Sequence, residues 1–189
     1  MKKVLVILGH PNKDSFNSFL ANSLVDGLVK KNNEVKRINL GDLNFDLNLK
    51  KGYKEIQELE GDLKKSQEDI LWADYLIFVF PIWWYNIPAI LKGFIDRVFL
   101  PGFAFKYTNS MPKKLLKGKK SAIICTSGDS SIAYFFIGNS AAKNLSSSLA
   151  FCGIKNIKTQ LFGLVEKRVN VKGLDFYKKR LDGIIKLIK

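Results

Sequence analysis

The chain has 189 residues, 47% hydrophobic and 25% charged, a balance that suits one domain, residues 1–189, with a substantial core. It excludes disordered and fibrous classes, and no apolar run approaches the ~20 residues of a membrane-spanning helix. The net charge of +14 rests on 27 lysines and only four arginines. Arginine reads base edges and clamps phosphate bidentately, so this charge argues against a nucleic-acid binder. A solvated lysine-rich surface, or a field that steers anionic ligands, fits better.

The opening "MKKVLVILGHPNKDSF" begins like a secretion signal but has neither a long apolar segment nor a small-residue cleavage site. A cytoplasmic protein is expected. "KKVLVILG" (2–9) reads as the first strand. From about 17 to 31, Phe19, Leu20, Leu24 and Leu28 recur at helical spacing. "NEVKRINL" (33–40) reads as a strand, 41–52 as a loop, and 53–73 as a helix interrupted near Gly61. "DYLIFVF" (74–80) is continuously apolar, the mark of a central strand covered on both faces. A helix starting at Pro88 follows, with Pro88 in the first turn. "KKSAIICTSG" (119–128) is another buried strand, then a helix over about 132–151 and a strand over 154–163. The closing segment from 171 places Leu174, Tyr177, Leu181, Ile184, Ile185 and Ile188 on one packed face. Cys125 and Cys152 lie in apolar runs and read as small buried hydrophobes. The single histidine, His10, rules out a metal site needing two imidazoles.

Strands alternating with helices imply an α/β domain: a doubly wound, five-stranded parallel sheet. Such folds bind ligands outside the carboxyl ends of the strands, near the switch in strand order. That brings together the loops 9–17, 81–87 and 126–131. There is neither a GxGxxG after the first strand nor a GxxxxGK[ST], so the usual dinucleotide and NTPase phosphate loops are not supported. In the first loop Ser15 and Asn17 open a helix, either as an anion site or as plain caps; His10 either donates to a phosphate or bonds locally. The third loop, Thr126, Ser127, Gly128 and Asp129, suits close backbone approach to a planar ligand, and equally a plain turn. The second loop is the most informative. Trp83, Trp84 and Tyr85 fall in a connection at the ligand edge, where a flat aromatic ligand or a dimer interface accounts for them.

"HPNKDSFN", "FVFPIWWYNIPAILKGFIDRVFLPGFAFKY" and "LAFCGI" together resemble the flavodoxin-like NAD(P)H:quinone oxidoreductases. This is the family of DT-diaphorase and of the bacterial modulator-of-drug-activity and potassium-efflux ancillary flavoproteins. The resemblance spans roughly residues 4–165. It implies non-covalent FMN or FAD, NADH or NADPH as donor, a quinone-like acceptor, and a homodimer. Two-electron transfer would proceed in two half-reactions. On this resemblance His10, Phe16 and Asn17, with Ser15 alongside, hold the flavin phosphate. Pro81, Ile82, Trp83, Trp84 and Tyr85 flank the isoalloxazine, and Thr126, Ser127, Gly128 and Asp129 meet its polar edge. Phe105 and Tyr107 line the substrate pocket of the partner subunit. Tyr134 lies near the flavin, where with the N–H groups around Gly128 it stabilises charge on the reduced ring. Ser140 occupies the position at which vertebrate members carry a histidine. Two neighbouring roles are an electron-carrier flavodoxin, disfavoured by the basic charge, and a regulatory flavoprotein of a membrane transporter.

Overall fold

The computed structural model describes residues 1–55, 57–108, 111–130, 134 and 138–189, and the side chains of these except 166–172. β1 (Lys3–Leu8) and β3 (Tyr75–Pro81) are buried almost throughout, because helices cover both faces of the sheet. Leu5 and Ile7 point to one core with Phe78 and Phe80; Val4, Val6 and Leu8 point to the other with Ile77 and Val79. The first core is roofed by α2 (Gly61–Trp72), α3 (Ala89–Val98) and α4 (Ser140–Cys152). The second is roofed by α1 (Phe16–Val29) and α5 (Val165–Ile185).

β2 (Glu34–Asn39), β6 (Lys120–Thr126) and β7 (Lys155–Phe162) complete a parallel five-stranded sheet of order β2-β1-β3-β6-β7. The expected doubly wound sheet is therefore observed. Its order reverses between β1 and β3, and the crevice above that point carries the three loops. A short antiparallel ladder, β4 (Phe105–Lys106) with β5 (Lys113–Lys114), was not legible in the apolar pattern.

The helix expected over 53–73 is shorter than its sequence suggests, starting only at Gly61. Arg97, 1% exposed, is the cause. Its guanidinium donates to the carbonyl oxygens of Asp46 (2.7 Å) and Glu58 (2.9 Å) and to the Glu60 carboxylate (2.8 and 3.2 Å). A helical Glu58 carbonyl would instead accept from the N–H four residues on. Pro88 is the N-cap of α3 rather than a first-turn residue. Of the helix expected over 132–151, residues 132, 133 and 135–137 lie outside the described residues, and α4 begins at Ser140, capped by the Asn139 side chain. α5 starts earlier than 171 and breaks at Gly173, whose φ is +65°. Leu174 just beyond that break is exposed and not on the packed face, whereas Tyr177, Leu181, Ile184, Ile185 and Ile188 are buried as expected.

Candidate active site

β1 ends at Leu8, and the N–H of Gly9 after it donates to the Val79 carbonyl and so holds the first loop against β3. His10 follows, its Nδ1 2.9 Å from both the N–H and the carbonyl oxygen of Asn12. Burial lowers the imidazole below its ordinary value, partly offset by the Asn12 backbone. Ser15 acts as the N-cap of α1, its Oγ accepting from the Ser18 N–H. The N–H groups of Phe16 and Asn17 precede the first intrahelical bond, and with the positive helix end they suit an anion. The Phe16 ring points away from this end, packing edge-on to Tyr177 at 4.9 Å. Only its backbone belongs to the loop.

Asn17 is buried, and its side chain exchanges hydrogen bonds with the Thr126 hydroxyl at 3.0 and 3.2 Å. The Thr126 carbonyl in turn accepts from the Ile82 N–H at 2.7 Å. Thr126 thus joins all three loops, which converge at the carboxyl edge of the sheet as the sequence implied. Beyond it, Ser127 Oγ accepts the Asp129 N–H and pairs with the hydroxyl of buried Tyr134 at 3.2 Å. Among the described residues, a Cβ added at Gly128 would meet no atom within 4 Å.

In the second loop, Pro81 closes β3 and Ile82 is buried. Trp83 and Asn86 exchange backbone hydrogen bonds across a two-residue turn, with φ +50° at Trp84 and +60° at Tyr85. Two positive φ values define a type I′ turn, which favours Asn-Gly; bulky residues there carry strain of about 1–3 kcal/mol each. Trp84 is 96% exposed, and Trp83 and Tyr85 are about half exposed. The Trp83 ring lies edge-on to His10 at 5.5 Å, and the Tyr85 ring lies 6.1 Å from Tyr134. Strained, exposed aromatics beside a helix end, facing an uncrowded glycine loop, fit a flat ligand carrying a phosphate.

Phe105 and Tyr107 are not brought to this cradle. They line a groove of about 440 Å³ with Tyr53, Phe99, Phe151 and Cys152, at the far ends of α3 and α4. The cradle adjoins the opposite ends of both helices, roughly a 15 Å helix length away. Two contacts escaped the sequence reading, one at Gly41 and one at Ser140, which the resemblance marked only as standing in a histidine's position. Gly41 abuts the first loop so closely that a Cβ would fall 2.1 Å from the Pro11 carbonyl oxygen. Ser140 donates from Oγ to the Tyr85 carbonyl at 2.6 Å. Neither follows a local pattern; both depend on contacts distant in sequence.

The family described as flavodoxin-like fold matches residues 2–181. NAD(P)H dehydrogenase (quinone) 1 of Cavia porcellus is 31% identical, over 97% of this chain and 78% of its own length. The crystal structure of Smu.1420 from Streptococcus mutans UA159 superposes with a TM-score of 0.78 at 32% identity, covering 98% of this chain and 97% of that one. An FMN-dependent NADH-azoreductase from Bacillus anthracis, solved in complex with FMN, gives a TM-score of 0.78 at 21% identity, over 100% of this chain and 99% of its own, a likeness of fold alone.

Proposed function

This chain belongs to the flavodoxin-like fold family, and we propose that it is a flavin-dependent NAD(P)H oxidoreductase acting on quinone-type acceptors. The observation that carries this reading is the cradle: an anion-suited helix end, a strained aromatic turn and an open glycine loop, joined through Thr126. A flavin there would accept two electrons from NADH or NADPH and hand them to the acceptor. The protein's share is placement. The N–H groups of Phe16 and Asn17 and the His10 ring hold the phosphate. Ile82, Trp83, Trp84 and Tyr85 border the ring system and keep water from it, and Gly128 lets the backbone approach. Ser127 orients the Tyr134 hydroxyl toward that edge.

The acceptor site is best completed by a second copy of the chain. Phe105 and Tyr107 sit a helix length from the loops of their own chain, and Tyr53, Tyr107 and Phe151 are exposed there. A homodimer would bring these aromatics over the partner's cradle. Among the described residues no helix is long and apolar enough to cross a membrane; a cytoplasmic setting is our inference from the sequence.

The test is optical. Protein incubated with FMN or FAD and desalted should retain yellow colour, bleach anaerobically with NADH or NADPH, and recover on adding a quinone. Protein that stays colourless with both flavins would sink the assignment.

A further inference from the structure

Ser140 is the first residue of α4, and its hydroxyl reaches across the crevice to the carbonyl oxygen of Tyr85 at 2.6 Å. The turn it meets has little else to hold it. Its two internal bonds, between Trp83 and Asn86, close the turn without tying it to the rest of the molecule, and among the described residues the Asn86 side chain bonds only to the next N–H, that of Ile87. Packing contributes little at its tip, because Trp84 is almost wholly exposed and, among the described residues, Tyr85 has one ring neighbour, Tyr134; the His10 ring meets Trp83 at the foot of the turn. Yet both central residues keep left-handed backbones that strongly disfavour side chains of this size. Strained backbone persists only where its surroundings over-determine it.

We infer that Ser140 is a positioning residue whose hydroxyl locks the Trp84–Tyr85 turn in its strained conformation. Among the described residues, its bond is the one hydrogen bond joining the tip of the turn to an element other than the strand and helix it connects. Ser140 is itself well fixed. The side chain of Asn139 caps α4 through the Ala142 N–H, and Ala141 and Ala142 are buried in the core. The lock therefore ties the aromatic turn to the helix that roofs β6, the strand bearing Thr126. For the cradle proposed above, the consequence is a pre-set aromatic wall, whose ordering need not be repeated at each binding event.

This inference rests on the flavin reading for its role but not for its test. Full-length protein without added flavin is digested briefly with chymotrypsin, which cuts after exposed aromatic residues, and cleavage at Trp84 and Tyr85 is followed by mass spectrometry. FMN affinity is measured in parallel by fluorescence quenching. Ser140→Ala should be cut about threefold to tenfold faster there and should bind FMN more weakly by a similar factor, the loss expected for one hydrogen bond. Ser140→Thr, which keeps the hydroxyl, should restore both. Equal cleavage of wild type and Ser140→Ala, or failure of threonine to rescue, overturns the lock. Faster cleavage of Ser140→Ala with no FMN binding by either protein upholds the lock and overturns the flavin assignment.

Discussion

Asn17 and Thr126, 109 residues apart in the chain, hydrogen-bond to each other side chain to side chain at the carboxyl edge of the sheet. The pair fastens the start of α1 to the end of β6 across the crevice at which the strand order reverses. An asparagine at the start of a helix ordinarily serves as a cap; here Ser15 is the cap, and Asn17 is released to bridge two loops.

The bridge is buried, so removing one partner leaves the other's polar group without compensation. Asn17→Ala should cost about 1–3 kcal/mol in urea unfolding. Thr126→Val should cost a similar amount, and the double variant less than the sum, a coupling of about 1 kcal/mol. Additive losses would show that the two side chains act independently.

The aromatic turn holds strain that a better turn sequence would release. Replacing Trp84 with Asn and Tyr85 with Gly suits both positive φ positions. The double variant should be more stable, by about 1–3 kcal/mol for each strained residue relieved less the added chain entropy of glycine, and it should lose flavin affinity as the aromatic wall disappears. Such opposition between stability and function is expected where strain serves a site. A variant that binds flavin as well as wild type would remove Trp84 and Tyr85 from the cradle.

Arg97 organises the segment before α2, and its loss should be felt there. Arg97→Met takes the guanidinium from the Asp46 and Glu58 carbonyls and from the Glu60 carboxylate, which keeps the Asp46 N–H, at a cost of about 3 kcal/mol. Burial pushes the Glu60 carboxyl up, but the Asp46 and Glu60 backbone N–H groups and the Arg97 guanidinium outweigh it and hold it lowered. A depressed carboxylate stabilises the fold above its unfolded value and loses that contribution as pH falls through the folded one. The stability gap between wild type and Glu60→Gln should therefore narrow in acid, as followed by unfolding at a series of pH values.

Both thiols should be inert at neutral pH. Burial raises Cys125 and Cys152 to about 11, against slight opposite pulls from Asn139 and Lys114 respectively. Iodoacetamide at pH 8 should label native protein slowly and unfolded protein fast, read by mass. A raised thiol stabilises the fold below its unfolded value of 9.0 and loses that contribution as pH climbs toward 11. Cys125→Ala should accordingly flatten the loss of stability across that window.

The parallel sheet and the meeting of the three loops were legible because continuous apolar runs and their alternation with helical periods are local signals. The exposure of Trp83, Trp84 and Tyr85 was legible too, from three rings in a connection. The early end of the helix pattern over 53–60 was not. Periodicity there is helical, and only the buried guanidinium of Arg97, close to forty residues away in the chain, redirects the Glu58 carbonyl. The same holds for Gly41 and Ser140. A glycine after a strand and a serine at a helix start look ordinary until the fold sets Pro11 against one and Tyr85 against the other.

Gly128 separates a ligand-facing role from a structural one. A Cβ added there meets no atom of the described residues within 4 Å, and its backbone is not left-handed, so valine should be accommodated without strain. Gly128→Val should leave the unfolding free energy within about 0.5 kcal/mol of wild type, the usual range for a surface substitution. The space that accepts valine is the space proposed for the flavin edge. Two methyl groups between that edge and the N–H groups of the loop should weaken FMN binding tenfold or more, by order of magnitude a loss of one well-placed contact with its neighbours. Paired denaturation and FMN titration decide it. Weaker binding with stability unchanged places the flavin edge at Gly128; unchanged binding moves it elsewhere in the crevice; and lost stability makes this glycine a structural one.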